Sequence, residues 1–169
     1  MRSTSARAVA CASRRALPTR ASGPCWSDCV KSTDTLADTG FLVALFNDGD
    51  PHHAGAVGML QQLAGKRLYS CWEVLNEACH LLDDTAWTHL LRWAAAGRLT
   101  VLASDPADLA AIAAFTERYA DGGADLAHVA LVFAADRTGI YNVLTVDRKD
   151  FDRYRSPLGK KLKRLWLKD

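Results

Sequence analysis

The chain has 169 residues, almost half of them apolar, and a formal net charge of +2. This length favours a single domain with a real hydrophobic core, and no apolar run is long enough to cross a membrane. The five cysteines lack the paired Cys-x-x-Cys spacing of zinc sites. An odd number of cysteines without a secretory signal is typical of the cytoplasm.

The charge is distributed unevenly along the chain. Residues 1–31 contain six Arg or Lys against one Asp, residues 32–147 contain six against fifteen acidic residues, and residues 148–169 contain nine against three. An acidic body followed by a basic end suits a metal site beside a phosphate-binding surface. A solvated charged tail is the simpler interpretation, and composition alone favours it.

The N-terminal stretch differs from the rest in composition. Residues 1–33 are rich in Ser, Ala and Arg and show no sustained hydrophobic period. Such a stretch cannot bury much apolar surface, which predicts that it is disordered or is a translated extension outside the fold. The folded domain is therefore expected at 34–169.

Within 34–169, short apolar runs alternate with helical patterns. The predicted elements, in chain order, are a strand ending at Asp38, helical turns at 40–46, a helix at 51–64, a strand at 67–71, helices at 72–83 and 87–97, a strand at 99–102, a helix from 106 to before Gly122, a helix at 124–138, a strand at 141–146 and an edge strand at 165–167. Alternating strands and helices predict an α/β fold with a central parallel sheet of four or five strands flanked by helices.

Four acidic residues lie in apolar segments far apart in the chain, at Asp38, Glu77, Asp125 and Asp147. Carboxylates are rarely buried alone, and if the fold gathers these four they repel one another unless a cation lies between them. Asp38 and Asp147 each follow a predicted strand, so they should share the edge of the sheet where ligands bind. Clustered hard oxygen ligands select Mg²⁺ or Mn²⁺.

Each of these positions also has a structural explanation. Asp125 stands at a helix start, where an N-cap role is about as good an explanation as a ligand role. Glu77 lies in mid-helix, where a solvated glutamate is the usual explanation, but its apolar neighbours favour a buried, paired carboxylate. Thr39 and Thr145 flank the two strand-end acids and could hold a water, although such hydroxyls more often satisfy local backbone groups.

The histidines and Asp150 can also be interpreted either as site residues or as structural residues. His128 lies three residues after Asp125 on one predicted helix and shares its face, so it is a candidate site residue. His52 and His53 are adjacent and point in different directions, which makes them a poor metal pair. Asp150 is interpreted as part of a polar turn.

Three motifs follow one another in order. Asp-Thr-Gly-Phe-Leu-Val-Ala-Leu-Phe occupies 38–46, Val-Leu-Asn-Glu-Ala-Cys-His-Leu-Leu occupies 74–82, and Leu-Thr-Val-Asp-Arg-Lys-Asp-Phe occupies 144–151. These resemble the opening acidic motif, the glutamate helix and the closing motif of the PIN-domain nucleases, particularly the VapC-like toxins of bacterial toxin–antitoxin pairs. The resemblance extends over about 35–165, and the order and spacing of the motifs make it specific.

The resemblance implies a PIN-like three-layer α/β fold and a Mg²⁺- or Mn²⁺-dependent endoribonuclease that hydrolyses RNA phosphodiester bonds. It implies a homodimer and a cognate antitoxin whose peptide occupies the active groove. It also carries metal-site roles onto Asp38, Glu77 and Asp147. We expect Glu77 to orient the attacking water or hold a second ion. The RNA backbone would be gripped by Arg148, Lys149 and the basic run at 160–164.

One position departs from the family pattern. Many relatives have Asp-Leu-Ala-Asp where this chain has Asp125-Leu-Ala-His128, and the second Asp is usually the stronger metal ligand. Three outcomes remain open: Asp125 acts as the ligand, His128 binds the metal and favours Mn²⁺, or the site is weakened. In the last case the domain would bind antitoxin or RNA without efficient cleavage. A phosphoryl-transfer receiver domain is disfavoured because Asp38 has no paired acid after its strand.

Overall fold

The computed structural model of the chain describes residues 31 and 33–167. The predicted N-terminal extension at 1–33 lies outside this part, apart from Lys31 and Thr33. The described part contains a five-stranded sheet flanked by helices. None of the helices described there is long and apolar enough to cross a membrane.

The strands and helices are numbered in chain order. The strands are β1 (Thr35–Ala37), β2 (Leu68–Cys71), β3 (Thr100–Leu102), β4 (Asn142–Leu144) and β5 (Lys163–Arg164). The α-helices are α1 (Thr39–Phe46), α2 (His53–Gln62), α3 (Trp72–Leu81), α4 (Asp84–Trp93), α5 (Leu109–Arg118), α6 (Leu126–Thr138) and α7 (Arg148–Arg153). A π-helical turn extends α4, and 3₁₀ turns flank α5.

The sheet has the order β3-β2-β1-β4-β5, and every neighbouring pair is parallel. Strand β1 lies in the middle, with Leu36 opposite Tyr69 of β2 on one side and Val143 of β4 on the other. All three residues of β1 are buried, as expected for a central strand covered on both faces. The α/β class, the parallel sheet and the three-layer arrangement are therefore confirmed.

Helix α6 is buried along most of its length and contacts β2, α3 and α5. Every residue from 127 to 135 is buried, which explains why its sequence is apolar on all sides rather than on one stripe. Asp125 caps its start. Gly139 ends the helix with a φ of 75°, a left-handed conformation that glycine adopts without strain.

Two predictions at the C-terminal end of the fold are wrong. The polar turn predicted after β4 is a short helix, α7, with Asp147 as its N-cap. The last strand lies at Lys163–Arg164 rather than at 165–167. Asn142 and Val143 of β4 lie opposite Lys163 and Arg164, and a strand of two residues is too short for an alternating side-chain pattern to locate it.

Candidate metal centre

The adjacent strands β1 and β4 bring Asp38 and Asp147 to one edge of the sheet. Strands β1 and β4 are parallel, with Ala37 opposite Leu144, so the residues that follow them emerge together. The Asp38 N–H donates to Leu144 O at 3.0 Å. The Thr145 hydroxyl donates to Asp38 Oδ2 at 2.7 Å and accepts the Asp147 N–H at 2.8 Å. Asp38 and Asp147 are thus linked through Thr145, while their ligand roles stay predictions.

The other carboxylate oxygen of Asp38 has an unusual environment. Asp38 is 1% exposed, and its Oδ1 is buried without a hydrogen bond from any described residue. A buried polar oxygen without a hydrogen bond is costly, more so when it is charged. Carboxylate oxygens are the ligands that Mg²⁺ and Mn²⁺ prefer. The donor atoms at this position therefore fit a divalent cation.

His128 extends from the first turn of α6 into the space between three carboxylates. Its Nε2 lies 3.4 Å from Asp38 Oδ1, and its Nδ1 lies 2.7 Å from Asp125 Oδ2 and 3.4 Å from Asp150 Oδ2. These are charge contacts rather than aligned hydrogen bonds. Burial lowers the pKa of His128, but the contacts with Asp125 and Asp38 outweigh burial and raise it to about 11. The imidazolium therefore places one positive charge inside the acidic cluster.

Asp125 acts as an N-cap and as a partner of His128 at the same time. Its Oδ1 accepts the His128 N–H at 2.8 Å, and its Oδ2 faces the imidazole ring. Burial raises the pKa of Asp125, but the close contact and charge of the His128 ring, together with the hydrogen bond from the His128 N–H, outweigh burial and lower it. The N-cap interpretation is confirmed, and it leaves the second oxygen pointing into the cluster.

Asp150 is part of the cluster, contrary to its interpretation as a residue of a polar turn. It is buried in the first turn of α7, where its N–H donates to Asp147 Oδ1 at 2.9 Å. Its Oδ2 accepts the Tyr154 hydroxyl at 3.2 Å and also faces His128. Asp125, His128 and Asp150 each offer one ligand atom, all within 4.8 Å of one another. This spacing is compatible with one metal ion.

A cleft of about 290 Å³ opens over this cluster. Its polar lining includes all four acids selected from the sequence, with several neighbours: Asp38, Thr39, Asp50, His52, Glu77, Asp125, His128 and Asp147. Glu77 is half-buried, and its Oε2 accepts the Thr39 hydroxyl at 2.5 Å. The expected pairing of Glu77 is therefore present. Asp50 and His52 reach the cleft although no sequence pattern links them to the acidic motifs.

The cations proposed to bind substrate lie beside the cleft rather than in its lining. Arg148 and Lys149 are exposed in the first turn of α7, immediately after Asp147. Their position at the rim leaves the cleft itself dominated by carboxylates, so a role in binding the RNA backbone stays a prediction.

A family model described as the PIN domain matches residues 35–157. The chain belongs to the PIN domain family. The matched range begins at β1 and ends after α7, so it contains every element that lines the acidic cleft of this PIN domain. A comparison with curated proteins gives no match.

Solved structures with the same fold include two from toxin–antitoxin systems. VapC20 of Mycobacterium tuberculosis, described as a toxin that cleaves the sarcin–ricin loop, is 20% identical with a TM-score of 0.60, covering 68% of this chain and 91% of that chain. VapBC2 from Rickettsia felis, bound to a DNA fragment from its promoter, is 14% identical with a TM-score of 0.55, covering 79% of this chain and 98% of that chain. This likeness shows that the PIN domain has the fold of VapC toxins.

Proposed function

We propose that this PIN domain is a divalent-metal-dependent endoribonuclease of the VapC type, held inactive by a cognate antitoxin. The observation that carries the proposal is the buried Asp38 Oδ1, which accepts no hydrogen bond from the described residues and lies in a cleft lined by four more acids. The class of reaction, hydrolysis of RNA phosphodiester bonds, is taken from the PIN domain family. The closely spaced carboxylates support the metal dependence, because their mutual repulsion is relieved by a cation.

The metal ligands in this proposal are the acids at the two strand ends and at the start of α6. Asp38, Asp125 and Asp147 would hold Mg²⁺ or Mn²⁺, with Asp150 or His128 as a further ligand. When bound, the ion lowers the pKa of the attacking water and neutralises charge that develops on the phosphate. A ring nitrogen of His128 could bind only after losing its proton, and it would then shift preference towards Mn²⁺.

Glu77 and two threonines would position the reacting groups. The Thr39 hydroxyl fixes Glu77 by donating to Oε2, which leaves the other carboxylate oxygen to orient a water molecule for attack on phosphorus. The Thr145 hydroxyl fixes Asp38 in the same way through Oδ2, so that Oδ1 keeps a single orientation. Both hydroxyls then act through the carboxylates they hold.

The basic C-terminal residues would bind the RNA backbone. Lys149 is exposed beside Asp147, and Lys163 is exposed on β5. Part of the basic run already has partners, since Lys161 and Arg164 lie 3.5 and 3.0 Å from Asp152. The exposed Lys161 pair is weak and can exchange with phosphate, whereas Arg164 is mostly buried and holds Asp152 through two hydrogen bonds, so Lys161 is the more available of the two. Single-stranded or looped RNA fits best, because its backbone and bases are both accessible.

The proposal includes partners that the family suggests. A cognate antitoxin would cover the cleft, since the likeness includes a VapBC complex and a basic peptide complements the carboxylates. We also propose that the protein forms a homodimer and acts in the cytoplasm, as expected for a toxin that meets RNA there.

A second candidate function is a PIN domain that binds antitoxin or RNA without efficient cleavage. The observation in its favour is the His128 ring, whose two nitrogens lie 2.7–3.4 Å from three carboxylates. A cationic ring in that place competes with a metal ion for the same oxygens. The two functions differ in whether the purified protein hydrolyses RNA.

Removal of divalent ions distinguishes the metal-dependent nuclease from the domain that only binds. Purified, antitoxin-free protein should cleave end-labelled single-stranded RNA in Mg²⁺ or Mn²⁺. Excess EDTA should slow cleavage by about 100-fold or more, and added Mn²⁺ should restore it. Gel analysis of the products gives the rates. Absent cleavage by well-folded protein would favour the binding function, and cleavage that EDTA does not affect would contradict the metal-dependent mechanism.

A further inference from the structure

Trp72 is an unusually exposed tryptophan next to the acidic cleft. It is the first residue of α3 and is 57% exposed, whereas Trp87 and Trp93 are half-buried and Trp166 is buried. Leu126, the first residue of α6, is 58% exposed. Single exposed apolar residues need no explanation, but grouped ones mark interaction sites. Trp72 and Leu126 line the same pocket.

This pocket adjoins the candidate metal centre. It has a volume of about 370 Å³, and its lining consists of Trp72, Glu73, Asn76, Glu77, Asp125, Leu126 and Ala127. Glu77 and Asp125 also line the acidic cleft. Whatever occupies the pocket therefore lies directly beside the position at which a phosphate would be hydrolysed.

The chemistry of the lining favours one part of a nucleic acid over the others. Its three carboxylates, Glu73, Glu77 and Asp125, would repel a phosphate, and none of the lining residues in the described part of the chain is basic. A neutral, planar group is better suited, because the indole of Trp72 offers a face for stacking and Asn76 offers amide hydrogen-bonding groups. Unpaired bases next to a backbone bound elsewhere have these properties.

We propose that Trp72 is a stacking platform for an unpaired nucleobase of the RNA substrate, next to the phosphate that is cleaved. The inference rests on the proposed ribonuclease function, and it assigns Trp72 the role of positioning the substrate. Stacking would fix the nucleotide while the acidic cleft receives its phosphate. Asn76, one helical turn after Trp72, would contact the edge of the same base.

Base deletion tests this contact directly. A short single-stranded RNA that the wild type cleaves is compared with versions carrying one abasic nucleotide at each position near the cut. In Ca²⁺, fluorescence anisotropy should show that one abasic position weakens wild-type binding by about tenfold. Trp72→Ala should weaken binding of intact RNA by a similar factor and lose sensitivity to that position. Trp72→Phe should retain most of the affinity.

Leu158→Ala provides the matched control. Leu158 is 67% exposed and is absent from the linings of the cleft and the pocket, so this variant should bind and cleave RNA as the wild type does. For Trp72→Ala, KM should rise more than kcat falls. Circular dichroism should show that both variants are folded, since both side chains are exposed.

The outcomes separate the inference from the proposed function. Suppose that the wild type cleaves RNA and that Trp72→Ala binds intact RNA, and each abasic RNA, with the same affinity as the wild type does. The stacking contact is then overturned, and the proposed nuclease function is unaffected. If Trp72→Ala instead weakens only the binding of an arginine-rich test peptide, the pocket is a peptide site and the inference is also wrong. A wild type that neither binds nor cleaves RNA would contradict both.

Discussion

Asp147→Asn is expected to lower RNA cleavage by about 100-fold or more while leaving the protein folded. Asp147 caps α7, because its Oδ1 accepts the Asp150 N–H at 2.9 Å. Asparagine caps helices about as well as aspartate, so the local structure should survive the change. The substitution removes one negative charge from the cleft, and with it a ligand for the divalent ion.

Asp83→Asn is the matched control, because it is the same substitution at the N-cap of another helix. Asp83 caps α4 through hydrogen bonds from the N–H groups of Thr85 and Ala86 at 2.9 and 2.8 Å, and it does not line the acidic cleft. Cleavage rates and melting temperatures of both variants should be measured together. We expect similar melting temperatures and loss of cleavage in Asp147→Asn alone. Full activity of Asp147→Asn would remove Asp147 from the ligand set.

His128→Asp is expected to raise both metal affinity and cleavage if the histidine weakens the site. The change replaces a cation among three carboxylates by another carboxylate. At an effective dielectric constant of about 20, a unit charge 4 Å away contributes about 4 kcal/mol. An increase in Mn²⁺ affinity of at least about tenfold, or about 1.4 kcal/mol, is therefore a conservative expectation. Calorimetry and initial cleavage rates measure the two effects.

The same variant should depend on the ion for its stability. Without metal, the added carboxylate faces Asp38, Asp125 and Asp150 with no cation between them, so the melting temperature should fall. Saturating Mn²⁺ should raise it by more than in the wild type, because the ion binds only the folded chain. His128→Asn, which removes the cation without adding a negative charge, separates the two causes. Unchanged or lower ion affinity and cleavage in His128→Asp would show that the histidine does not weaken the site.

The sequence contained enough information to place the acids on one edge of the sheet. Asp147 follows a β-rich run, Asp38 follows a short and more polar stretch predicted as a strand, and residues that follow parallel strands share one edge. The contact between Asp125 and His128 follows from their spacing of three residues on one helix. Local patterns were sufficient here because each residue occupies a defined position at the end of a strand or the start of a helix.

Asp150 was not predicted because α7 is short and highly charged. Only Asp150 and Phe151 are buried within the helix, so no long apolar stripe marks it. A weaker signal was present: Asp147 precedes the helix as a possible N-cap, and Phe151 and Tyr154 follow four and seven residues later, at helical spacing. Together these would have predicted a helix that turns Asp150 inwards.

The contacts between distant segments lay beyond the sequence. Thr39 donates to Glu77 across 38 residues, and Thr145 donates to Asp38 across 107. Such pairs depend on how helices pack on the sheet, which periodicity does not specify. For the same reason the sequence did not show that the His128 ring would lie within 3.4 Å of Asp38.

Diffraction from crystals soaked in Mn²⁺ provides the most direct test that acids from distant segments share one divalent ion. An anomalous difference map should contain a peak beside Asp38 Oδ1, within coordination distance of Asp125 or Asp147. A map with no peak in this cleft, recorded at an ion concentration that supports RNA cleavage, would contradict a metal centre built from these residues.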